Sequence, residues 1–172
     1  MSVTILDLIV DEHQMFSSRL KEQCLRSEAM QRSFVEGFLR DFFIHDRAEE
    51  KVLYQSISKL PHVNKETQCL ISSFYSDHSQ IFSLISDLKD LPSRERRHRT
   101  NVLAENIGFH FKDEEERLFP VLSQLFSQQK LVDMGQLFLA TKAEISGGLT
   151  LTSIHKHIAS GKSQTNLFSL SP

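Results

Sequence analysis

A histidine followed four residues later by a glutamate occurs inside two apolar, helix-like runs: His45 and Glu49 in I-H-D-R-A-E-E-K-V-L-Y, and His110 and Glu114 in F-H-F-K-D-E-E-E-R-L-F. Residues at i and i+4 stand one above the other on a helix face, so each pair aims an imidazole nitrogen and a carboxylate at one spot. That is the disposition of two ligands for a metal ion. The spacing recurs at an offset of 65 (45 to 110, 49 to 114), and the lone histidines His13 and His78, which follow Glu12 and Asp77, share that offset. The chain reads as an old duplication whose register selects six residues: His13, His45, Glu49, His78, His110 and Glu114.

On one buried level these six groups need a cation. A buried ionised carboxylate costs several kcal/mol even after relaxation, and here two would face each other beside four imidazoles. Four imidazoles and two carboxylates exceed a closed tetrahedral zinc site, but suit two octahedral-tending metals bridged by both carboxylates. Each metal would take two histidines and one oxygen from each bridge, with positions left for a bridging oxide or hydroxide and for an exogenous small ligand. Iron leads as the metal, and manganese is second. Other candidates fail on position. Glu95 to His98 has the i, i+3 spacing of ferritin-like sites but sits in the basic run S-R-E-R-R-H-R, and His62-x-x-x-Glu66 follows a proline with no partner at the 65-residue offset.

The elements that must position the six are helices. Proline occurs only at 61, 92, 120 and 172, glycine is sparse, and apolar residues are spaced by three and four. The pattern predicts a first helix over roughly 4–25, with Ile5, Ile9, His13, Phe16 and Leu20 on one stripe. A second runs over about 31–60 and ends at Leu60-Pro61-His62. A third starts after Asn64, an N-cap, and runs to about 91. A fourth covers about 96–128, with a kink expected near Pro120, and a shorter fifth covers about 130–145 before Gly147-Gly148. Short connections between long amphipathic helices predict an all-α, antiparallel up-down-up-down four-helix bundle with a short fifth helix and a C-terminal tail. The domain reading is a bundle over 1–145 and a polar tail or short helix over 146–172. In that layout all four histidines reach a common depth, with Cys24 about 16 Å above it and Cys69 about 13 Å below.

Composition narrows the function classes. A net charge of −2 and 24% charged residues argue against nucleic acid or anionic membrane as partner. No apolar run approaches a membrane span, the N-terminus lacks a basic leader region, and the separated cysteines predict no disulfide. The expected location is the cytoplasm.

The order His, His-x-x-x-Glu, His, His-x-x-x-Glu on four helices resembles the hemerythrin-like (HHE) cation-binding domain over roughly residues 4–127. The resemblance implies that His13, His45, His78 and His110 are terminal ligands and that Glu49 and Glu114 bridge two irons. It also implies departures. Oxygen-carrying hemerythrins place a second histidine one turn from the third-helix histidine and an aspartate one residue beyond Glu114; here Phe74 and Phe82 flank His78. The ligand set is closer to iron- and oxygen-sensing relatives, in which a carboxylate beside the second-helix histidine can take part. Asp46 holds that place against Phe111 in the other half, so the two metal positions are expected to be unequal. Glu115 is the alternative bridge on the longer spacing of the oxygen carriers.

The implied function is binding O2, NO or peroxide, or sensing iron and oxygen, ahead of catalysis. The alternatives are a di-iron enzyme acting on peroxide or NO or handling iron for damaged iron centres, and an interaction module with a structural metal. Glu50 and Glu115 read as groups supporting the ligands from outside or as surface groups. The abundant phenylalanines read as core, the cluster Arg94, Arg96, Arg97 and Arg99 as a solvated loop, and His155 and His157 as off-face residues of the tail. A homodimer through the fifth helix is left open.

Overall fold

The computed structural model describes residues 2–25, 32–88 and 90–160, and among them there is no strand. Helix α1 spans Ile5–Leu25. Thr4 and Asp7 close its first turn reciprocally: the Asp7 amide donates to the Thr4 hydroxyl at 3.2 Å and the Thr4 amide to the Asp7 carboxylate at 2.8 Å. Two amides that a helix start leaves without partners are thereby satisfied. Helix α2 is regular over Arg32–Glu49, widens into a π turn over Glu50–Tyr54 and finishes over Gln55–Ser58. Helix α3 spans Lys65–Leu88, and Asn64 caps it as expected, its side-chain oxygen accepting from the Thr67 amide at 2.8 Å. Helix α4 is regular over Ser93–Asp113, takes a π turn over Glu114–Leu118 and continues over Phe119–Leu125. It starts earlier than the expected residue 96, because extended Pro92 stands directly ahead of its first turn. Helix α5 spans Gln128–Gly148 behind a Ser127 cap, and α6 spans Leu151–Ala159 behind a Thr150–Ser153 capping box. The expected second-helix start at Gln31 and the last part of the tail lie outside the described residues.

Two apolar clusters fill the bundle, and the direction of each helix can be read from them. Going along the chain, α1 passes from Ile5 and Ile9 in the first cluster to Phe16 and Leu20 in the second. α2 returns from Phe38 and Phe42 to Leu53 and Ile57, α3 goes from Ile71 and Phe74 to Ile81 and Ile85, and α4 returns from Leu103 and Ile107 to Leu118 and Leu122. That alternation is the up-down-up-down bundle. On every helix the histidine lies between the two clusters, so the polar layer is shielded by apolar side chains at both ends.

The fifth helix packs against both α1 and α2. It comes close: a Cβ on Gly135 would sit 3.1 Å from the Ile5 amide nitrogen and 3.2 Å from the Thr4 carbonyl carbon, so glycine permits this approach. α6 lies against α2 and α3 and buries Ile154 completely in the second cluster. No helix of the described residues is long and apolar enough to cross a membrane.

The irregularities of α2 and α4 fall at corresponding places. The Gln55 amide reaches back to the Glu50 carbonyl, and the Phe119 amide to the Glu114 carbonyl, each five residues away. In α4 the wide turn directly precedes Pro120, where a kink was expected; α2 has the same turn with no proline, so proline is not its general cause.

Candidate metal centre

All six residues singled out by the duplicated spacing converge in the buried layer. His45, His78, Glu49 and Glu114 have no exposed surface, and His13 and His110 are exposed by only 2% and 3%. Glu49 stands at the middle. Its Oε1 lies 3.2 Å from His45 Nε2 and 3.7 Å from His13 Nε2, while its Oε2 lies 3.8 Å from His78 Nε2. The Nε2 atoms of His78 and His110 are 3.1 Å apart. Ligand atoms thus gather into two sets that share one carboxylate: His13, His45 and Glu49, and Glu49, His78 and His110. Glu114 lies across them. Its Oε2 is 3.5 Å from His13 Nε2, and its Oε1 accepts the Tyr54 hydroxyl at 2.8 Å, a hydroxyl itself 3.4 Å from His78 Nε2.

Behind the histidines stands a ring of carboxylates that obeys the same duplication. His13 Nδ1 meets Glu115 at 2.7 Å, His45 Nδ1 meets Glu12 at 2.8 Å and His78 Nδ1 meets Glu50 at 3.0 Å; the Asp77 carboxylate lies 3.7 Å from His110 Nδ1. Glu12 is held below the usual carboxylate range by His45 and Lys142 against its burial, and an ionised carboxylate only accepts, so the His45 proton sits on Nδ1 and its Nε2 turns a lone pair inward. Glu50, raised by burial to about 7, and Glu115, raised by burial, do the same for His78 and His13 when ionised. Glu12 and Asp77 serve histidines on a neighbouring helix rather than the histidines next to them in sequence, a pairing that adjacency alone did not reveal.

The halves differ at the positions flagged by the sequence. Asp46 is fully buried, and its carboxylate lies 3.9 Å from His78 Nδ1, on the side of the ring away from Glu49. In the other half Phe111 stacks on His13 with ring centres 3.8 Å apart. Glu115, the alternative bridge, is about one-third exposed and reaches the outer nitrogen of His13. Sequence reasoning missed Tyr54. It follows Leu53, which already occupies the inward stripe, and a regular helix would turn the next residue aside. The π turn lets Leu53 and Tyr54 both be fully buried. The one available signal was an aromatic at the 65-residue offset, Tyr54 against Phe119.

The family model of the hemerythrin HHE cation binding domain matches residues 4–122. The chain belongs to this family. Neither a curated protein sequence nor a solved structure matches it. As an HHE domain it is a metal-binding domain, and its own atoms fit that description. Both oxygens of Glu49, one oxygen of Glu114 and the Nε2 atoms of His13 and His45 are buried without a hydrogen-bond partner, and they point into one volume. So many orphaned polar atoms would each be costly without a shared cation.

The electrostatics of this HHE cluster agree. Burial, reinforced by Glu114 and Asp46, pushes Glu49 well above the usual carboxylate range, and burial raises Glu114 despite His110 and Tyr54. Burial and the neighbouring imidazoles hold His13 and His78 well below the ordinary histidine value. Burial also lowers His45, against the pull of Glu12. Without metal, Glu49 and Glu114 therefore favour the neutral acid and His13, His45 and His78 the neutral imidazole; cations would take the place of the carboxyl protons. Two surface clefts reach the layer. One of about 420 Å3 between α3 and α4 is lined by Asp77, Asn106 and His110, and one of about 270 Å3 between α1 and α4 touches His13 and Glu115.

Proposed function

We propose that the chain is a cytoplasmic non-haem di-iron protein that binds O2, NO or peroxide and reports on oxygen or iron. His13 and His45 would hold one ion and His78 and His110 the other, with Glu49 and Glu114 bridging; manganese is the alternative metal. The observation that carries this reading is Glu49, whose two otherwise unpartnered oxygens face separate pairs of inward-turned imidazoles. When bound, the two ions would supply a redox-active pair with coordination positions left for a small ligand.

The protein's own residues do the rest. Glu12, Glu50 and Glu115 fix the ring orientation and tautomer of His45, His78 and His13. The two apolar clusters and Phe111 restrict water, while the clefts beside His110 and His13 admit molecules of a few atoms. Tyr54 holds Glu114 in place and offers a hydroxyl proton near His78. That hydroxyl is the observation favouring the second reading, an enzyme that reduces peroxide or NO, because such chemistry consumes protons at the site.

The test is metal analysis together with optical spectra of protein purified without added metal. We expect about two irons per chain and near-ultraviolet charge-transfer absorption that bleaches on reduction and returns in air. Zinc, or no metal, would refute the di-iron reading. His45→Ala and Glu114→Ala should each bring the metal content well below two per chain. Unchanged stoichiometry in both would remove these residues from the site.

A further inference from the structure

The orienting carboxylates are not equally supported. Glu50, behind His78, takes an ion pair from Arg47 at 2.7 Å, and Arg47 lies on the same helix, so this support is internal to the four-helix bundle. Glu12, behind His45, is different. One of its oxygens accepts from His45 Nδ1 at 2.8 Å, and the other is held by the Lys142 ammonium. Lys142 belongs to α5, beyond the matched HHE region, which stops at residue 122.

Around this contact α5 is built to stay in register. Gly135 lets it close onto the start of α1, fully buried Phe138 brings its ring edge to His45 with centres 6.3 Å apart, and the Lys142 ammonium lies 5.4 Å from the Phe138 ring centre. Asp77 takes the place of Glu12 in the other half. Among the described residues no lysine or arginine pairs with it, and it is more than one-third exposed and stands 3.7 Å from His110.

We propose that Lys142 is a positioning residue that makes the His13/His45 metal position conditional on docking of α5, whereas the His78/His110 position is held by the bundle alone. Its ammonium fixes the Glu12 carboxylate, the carboxylate fixes the His45 ring, and the ring aims Nε2 at Glu49. With Lys142 removed, Glu12 is partly exposed and free to turn to solvent, and His45 loses the group that selects its tautomer. Outer carboxylates of this kind commonly change metal affinity ten- to a hundredfold. The consequence is a protein with one metal position governed by a segment outside the family domain. This inference rests on the two-metal reading above.

The experiment loads the full chain with Fe(II) anaerobically and follows its release to a ferrous chelator. In Lys142→Met one equivalent should leave at least tenfold faster than in the wild type while the other keeps its rate. Lys142→Arg, which keeps the cation, should release metal as the wild type does. Lys51→Met is the control: it breaks a second ion pair made by α5, this one with α2, Lys51 with Glu144 at 2.8 Å, without touching a carboxylate that serves a histidine. It should leave both rates unchanged, and circular dichroism should show the same helix content in all four proteins. If Lys142→Met releases both equivalents at wild-type rates, accelerates both alike, or behaves no differently from Lys51→Met, Lys142 is not a positioning residue. A wild-type chain that never holds two irons overturns the metal reading, and this inference with it; two irons with an indifferent Lys142→Met overturns this inference alone.

Discussion

The six inward residues were legible because ligand chemistry imposes a spacing, i and i+4 on a helix, and the duplication wrote that spacing twice. Asp46 was visible as well, as an acid beside His45 where the other half has Phe111, but its surroundings were not. Both of its oxygens are buried without a hydrogen-bond partner. Burial, with Glu50 next, pushes its carboxyl well above the usual range. A carboxyl whose value is raised on folding favours the folded state at low pH, and that contribution disappears as pH rises through the raised value. Asp46→Asn cannot ionise. In metal-free protein it should therefore change stability little near pH 4 and become progressively more stable than the wild type toward pH 8, by ~1–3 kcal/mol. Denaturant titrations at the two pH values measure this, and a variant less stable than the wild type at pH 8 would mean that Asp46 has an ionic partner in solution.

At the scale of elements, the three- and four-residue apolar periodicity located the four long helices, and Asn64 and the prolines marked their ends. Periodicity could not show the π turns, because one wide turn leaves the stripe almost unchanged while admitting one more residue inward; Tyr54 entered the site that way. Nor could it place α5. Its stripe of Leu131, Met134 and Phe138 says that one face is covered, not that α1 and α2 cover it or that Lys142 will meet Glu12. The segment after Gly148 is similar: Leu151, Ile154 and Ile158 make an apolar stripe on the nine-residue helix Leu151–Ala159, but a stripe does not say that α2 and α3 cover it. Ile154 is completely buried, at the end of the molecule remote from the first apolar cluster. Ile154→Ala should cost about 2–4 kcal/mol by leaving a cavity there, with metal stoichiometry unchanged. Chemical denaturation of the loaded protein tests it, and a loss below about 0.5 kcal/mol would mean that α6 contributes no core packing in solution.

Across the whole molecule, a costly polar layer is held between two apolar clusters that span all four bundle helices. Each cluster contains large side chains with no exposed surface, among them Leu53, Ile57 and Phe74 in one and Phe42 and Ile154 in the other. Burial of such side chains is worth about 1.5–3 kcal/mol each, so the bundle has a driving force for folding independent of metal. His13, His45, His78, Glu49 and Glu114 can meanwhile rest in their neutral forms. Metal is thus expected to stabilise a fold that already exists, unlike a small zinc domain that is unfolded without its ion. Ligand binding to the folded state alone contributes about 2.7 kcal/mol at a hundredfold excess over Kd, which for a domain of this size raises Tm by roughly 5–10 °C. The prediction is therefore twofold: metal-free protein keeps its helical circular dichroism and a cooperative melt, and added Fe(II) moves that melt upward. Loss of helix on chelation would instead make the metal part of the scaffold, and the chain would then be better read as an interaction module whose ions are structural than as a receptor for small ligands.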